Sequence, residues 1–107
     1  MKRTIVVTPN VGKIRIIKVP SGQAPLEVRK AWLGLELEVA KGIFIGEQHG
    51  VLGGQSNGPA GYPVESVYAI ETLRQKNPVA AKWWDDNFDP AESQWLLFRE
   101  SDCELVN

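Results

Sequence analysis

Few residues in this 107-residue chain have side chains suited to chemistry, and they are scattered. His49 is the one histidine, and Glu47 stands two residues before it. A carboxylate that orients an imidazole is the elementary general-base pair. Residues two apart on an extended chain are also ordinary surface neighbours, and no third member follows. Cys103 is the one cysteine, so no disulfide can form within the chain. A nucleophilic thiol needs a cationic or polar setting. Cys103 stands in the apolar closing segment and reads as a small core residue.

Asp85-Asp86-Asn87-Phe88-Asp89 places three acids within about one turn. Hard oxygen ligands so grouped suit magnesium or calcium. The plainer reading is solvated acids that end a helix, with Asp89 starting a turn. The run Gly50 to Gly58 is rich in glycine, but it has no lysine and no Gly-Lys-Ser/Thr ending. It is therefore not a phosphate loop. A small-molecule site on this loop would use His49, Gln55 and Asn57, with Tyr62 close by. Gly61-Tyr62-Pro63 enters a helix without a capping side chain, so free amides there would suit an anion, in competition with Glu65. No cofactor motif is found and no metal or cofactor is expected.

The four tryptophans, Trp32, Trp83, Trp84 and Trp95, are many for this length. They cannot all be fully buried easily in a small domain. Val79/Trp83 and Ala80/Trp84 stack at i,i+4 on neighbouring stripes of one helix. One indole should therefore be core and the other marginal. The candidate partner surface is Trp83, Trp84, Tyr62 and Tyr68, and the partner is a protein, a peptide or a second copy of the chain.

These residues need elements to hold them. The length suits one domain, residues 1–107, with one core. Thr4 to Thr8 and Lys13 to Val19 read as strands joined by the turn Pro9-Asn10-Val11-Gly12, hence a hairpin. Pro25 opens a short helical turn to Ala31. Leu33, Leu35, Leu37 and Val39 alternate with Gly34, Glu36 and Glu38, which is the clearest strand signal. Ile43 to Ile45 is another strand. Barrel strands thus fall within 4–52 and 94–106, a Gly-rich mobile loop covers 53–61, and helices fill 63–87. The first helix runs from Pro63 to Lys76. Asn77 caps the second and Pro78 begins it.

The closing segment from Trp95 to Val106, a strand, a tight turn at Glu100-Ser101-Asp102 and a last strand, resembles the end of a small Src-homology-three-like barrel. The stretch Gly12 to Leu37, with its loop at Pro20 to Pro25, resembles the opening of one. The resemblance spans about half of the chain and implies an α+β fold, mainly β, built as such a barrel with a two-helix insertion. The segment from Gly46 to Ser93 departs from the simple barrel, and no functional residue is carried over.

Charge and hydropathy narrow the function classes. Residues 1–30 have a net charge of +6 and residues 83–107 one of −6, within a total of −1. Terminal strands that pair would neutralise each other, which predicts that the strand near Cys103 to Val106 joins the sheet of an N-terminal strand. The basic N-terminal strands also allow a nucleic-acid alternative, which the total charge disfavours. Ile5 to Val7 is too short for an export signal, and no apolar run approaches the ~20 residues that span a bilayer. With a single cysteine this predicts a cytoplasmic protein with no membrane partner. The resulting expectation is a non-enzymatic binding module that meets protein or peptide through an aromatic surface. The alternatives are a nucleic-acid-binding module and a small-molecule-binding protein or small enzyme.

Overall fold

The computed structural model describes residues 6–7, 12–40, 44–45 and 61–106. In chain order the elements are β1 (Val6–Val7), β2 (Lys13–Ile16), α1 (Leu26–Lys30), β3 (Glu36–Glu38), β4 (Phe44–Ile45) and β5 (Gly61–Glu65). Then come α2 (Ser66–Lys76), α3 (Pro78–Asn87), β6 (Trp95–Arg99), a 3₁₀ turn at Glu100–Asp102, and β7 (Cys103–Val106). The fold is α+β, with helix and strand in nearly equal share among the described residues. Their strands form three antiparallel sheets, β3-β2-β7, β5-β6 and β1-β4, and no closed barrel.

β2 is the central strand of the three-stranded sheet. Its apolar residues alternate with charged ones, so Ile14 and Ile16 point into the core and Lys13 and Arg15 point out. Ile14 lies opposite Leu37 of β3 and Leu105 of β7. On the outer face Arg15 reaches Glu36 at 2.8 Å and Glu104 at 2.5 Å, tying all three strands. The closing strand does pair with an N-terminal one, and the opposed charges of the two ends meet at this arginine. The expected hairpin is not formed. Both edges of β2 are occupied by β3 and β7, and β1 pairs with β4 instead.

Two further expectations are corrected. Only Glu36–Glu38 of the alternating run is strand. Upstream, α1 unwinds through a turn in which Leu33 N–H donates to Lys30 and Gly34 N–H donates to Ile16. Gly34 has φ +85°, a left-handed conformation that breaks the strand and favours glycine. The helix expected from Pro63 begins at Ser66. Gly61–Glu65 is a strand in register with β6, from Gly61 opposite Arg99 to Glu65 opposite Trp95. The apolar run Leu96-Leu97-Phe98 offers a pairing partner that local helix spacing does not reveal. The first helical amide, Ser66 N–H, donates to Gln94 at 2.8 Å and the Ser66 hydroxyl donates to Ser93. The anion-binding amides proposed at Gly61-Tyr62-Pro63 are therefore strand backbone.

α2 and α3 form an αα-hairpin whose joint follows its sequence signal. Asn77 Oδ1 accepts from Ala80 N–H at 3.1 Å, and Pro78 is the first residue of α3. The helices pack with α1 and the β3-β2-β7 and β5-β6 sheets around one core. Trp32, Trp84 and Phe98 are fully buried at its heart. Trp32 meets Trp84 with centroids 5.8 Å apart and Phe98 at 5.2 Å, both edge to face. The indole N–H groups of Trp32 and Trp84 are buried without a hydrogen-bond acceptor. In edge-to-face stacks a ring edge rests on a π-face, which offsets part of that cost. Among the described residues no helix is long and apolar enough to cross a membrane.

Candidate functional site: a cleft between two helices

The pair α2 and α3 leaves a surface cleft of about 260 Å³ near the C-terminal end of α3. One wall is a single stripe of α2. Val67, Ile70, Glu71 and Arg74 recur at i, i+3, i+4 and i+7, so they share a face. The other wall is Trp84, Asp85 and Phe88, closed by Pro90. Phe88 leaves the helix in extended conformation, and Asp89 Oδ1 accepts from Ala91 N–H at 2.9 Å. That Asx-type turn sets Pro90 against the cleft. Ile70 and Trp84 are buried and make the floor, whereas Val67, 53% exposed, stands at the mouth.

The polar edge is a preformed ion pair. Arg74 donates two hydrogen bonds to Asp85, at 2.7 and 3.0 Å, and a third to Glu71 at 3.1 Å. Bidentate geometry is the strongest form of this contact. The Arg74 hydrogen bonds hold Asp85 below the usual carboxylate range, while Asp85 first, then Glu71, raise Arg74 further above its own. A carboxylate so stabilised is a weak base, and an arginine does not give up its proton. The cleft thus offers an apolar floor, one aromatic wall and an edge where one arginine stands between two carboxylates. Its volume lies below the ~300–1,000 Å³ usual for small-molecule sites. It suits a single apolar side chain.

The residues singled out in the sequence are only partly brought together here. Trp84 reaches the cleft, as its buried floor. Trp83 is the half-buried indole of the pair, stacked edge to face on Trp84 at 5.1 Å. Tyr68 is half-buried on another stripe of α2, where its hydroxyl accepts from Glu38 N–H at 2.9 Å and covers the edge of β3. Tyr62 is buried in β5, its hydroxyl donating to Glu100 at 3.4 Å. Burial first, and the Glu100 charge second, push that phenol above its ordinary range. The expected aromatic surface of Trp83, Trp84, Tyr62 and Tyr68 is corrected in this respect: Trp84 and Tyr62 are interior. His49, Gln55 and Asn57, with Glu47, lie outside the described residues, as does the loop expected to be mobile over 53–61 except for Gly61, which is the first residue of β5.

The other chemical motifs resolve into structural roles. Of the three clustered acids, Asp85 binds Arg74, Asp86 binds Lys82 at 2.7 Å, and Asp89 builds its turn. Cys103 is pushed up to about 12, by burial first and then by Asp102, so its thiol stays protonated and unreactive near neutrality. Arg15, among the basic residues behind the nucleic-acid alternative, is held by two carboxylates. Val67, Ile70, Arg74, Phe88 and Pro90 were not singled out. The stripe Val67, Ile70, Glu71, Arg74 is visible as helical spacing, but the residues that face it are not. The chain matches no protein-family model, no curated protein and no solved structure.

Proposed function

We propose that this chain is a non-enzymatic binding module for protein or peptide, and that the α2–α3 cleft seats one apolar side chain of the partner. The carrying observation is the cleft itself: a half-exposed Val67 at the mouth over a buried floor of Ile70 and Trp84, with its lining charges, Arg74, Glu71 and Asp85, held in one ion-pair cluster at the edge. Interfaces of this kind place an apolar anchor in a pocket and surround it with a polar rim. The finer fold assignment, a Src-homology-three-like barrel, is supported by the succession of β6, a 3₁₀ turn and β7, with β7 laid along β2.

The test is selection of nonapeptides from a random display library, followed by mapping of amide resonances on the protein. Selected peptides should share an apolar residue and shift Val67, Ile70, Arg74 and Phe88. Val67→Glu, at an exposed helical position, should keep the fold by circular dichroism and abolish binding. Shifts confined to residues remote from the cleft, with Val67→Glu binding normally, overturn the proposal.

A further inference from the structure

We infer that the partner segment is basic, with lysine or arginine flanking the apolar side chain that enters the α2–α3 cleft. The inference rests on the cleft reading above. The lining carries Glu71 and Asp85 against Arg74, and the chain beside Asp85, Phe88 and Pro90 adds Asp86, Asp89 and Glu92 against Lys82, which pairs with Asp86. All five acids are exposed. Both cations are already taken, Arg74 by Asp85 and Glu71, Lys82 by Asp86. Among the described residues Asp89 and Glu92 have no cationic partner. The rim is therefore net negative around an apolar floor.

The helix end adds to this field independently. The last turn of an α-helix carries the negative end of its dipole and favours a cation there. α3 has no basic residue in its last turn and instead places Asp85 and Asp86 there. Both charge patterns favour an incoming cation. An acidic partner would meet repulsion from the rim and from the helix end together, so the same arrangement rejects it.

Selection from the nonapeptide library at 50 mM salt separates the two readings. Peptides whose binding is lost in Val67→Glu should carry net positive charge and lose at least tenfold in affinity at 500 mM salt. The double variant Asp86→Lys/Glu92→Lys, changed only outside the cleft lining, should weaken them by a similar factor. Selection of Val67-dependent peptides that are neutral or acidic, or indifference to salt and to the double variant, overturns the basic partner and leaves the cleft reading standing. Absence of any Val67-dependent peptide overturns both.

Discussion

Trp83 and Trp84 are adjacent, identical in chemistry and very different in surroundings, so their replacement is a sharp test of the packing. Trp84 is 1% exposed and touches three rings: Trp32, Trp83 at 5.1 Å, and Phe88 at 5.3 Å. A buried Trp→Ala change costs about 3–5 kcal/mol. Each aromatic pair adds ~0.5–1.5 kcal/mol beyond its area, which puts Trp84→Ala at the upper end of that range. Trp83 is half-buried with one ring contact, so Trp83→Ala should cost about 2 kcal/mol, roughly half the buried value. A small domain holds only about 5–15 kcal/mol in all. Urea unfolding followed by circular dichroism reads the difference. With a slope near 1.5 kcal/mol per molar, the midpoint for Trp84→Ala should fall below that for Trp83→Ala by over about 1 M. Trp84→Phe is the companion variant. The indole N–H has no acceptor to lose, so only packing is forfeited. Equal midpoints for the two alanine variants, or a lower one for Trp83→Ala, would refute the assignment of Trp84 as core and Trp83 as margin.

Two other outcomes follow from the geometry. Cys103 in the folded protein should alkylate slowly with iodoacetamide at pH 8 and rapidly in urea. Its folded value, about 12, lies above the unfolded value of roughly 8.5, so the folded state holds the proton more tightly. That contribution to stability is full below about pH 8.5 and is lost as pH rises toward 12; wild type should lose more stability than Cys103→Ala between pH 7 and 10, and parallel losses would contradict it. Asn77→Ala removes the acceptor for Ala80 N–H and should cost about 1 kcal/mol in the same urea assay, with Asn77→Asp restoring most of it.

The parts of the fold legible in the sequence were those whose signal is local. Asn77-Pro78 marks the start of α3 through a cap and a fixed φ, both properties of the residues themselves. β2 and β7 were legible from β-branched alternation and from opposed charge, and Arg15 with Glu104 shows why charge carries the pairing. Pro63 to Glu65 reads as helix because Val64, Val67, Ile70 and Leu73 continue one helical spacing across a strand–helix boundary. What holds the start of the helix back to Ser66 is the pairing of Gly61–Glu65 with Trp95–Arg99, some thirty residues away. Trp32 to Leu35 was misread as strand because alternation alone does not register Gly34 or the fit of Trp32 among Trp84 and Phe98. The candidate site was half legible for the same reason. Asp85 and Trp84 stood out, but Glu71 and Arg74 became meaningful only once α2 lay against α3.

The position of β2 between β3 and β7 also sets an order of events in folding. β3 follows β2 after a connection that contains α1, and the contact of Arg15 with Glu36 spans 21 residues. The contact of Arg15 with Glu104 spans 89 residues. Closing so long a loop costs chain entropy before any contact rewards it, and pairings of this kind slow folding. During synthesis β7 is also made after every other described element. Until it arrives, β2 presents an open hydrogen-bonding edge beside Ile14 and Ile16, the kind of edge that recruits strands from other chains. The ribosome-bound chain is thus exposed to mispairing until its final described strand is free to dock, and slowing the emergence of β7 should raise aggregation without altering the stability of the finished fold.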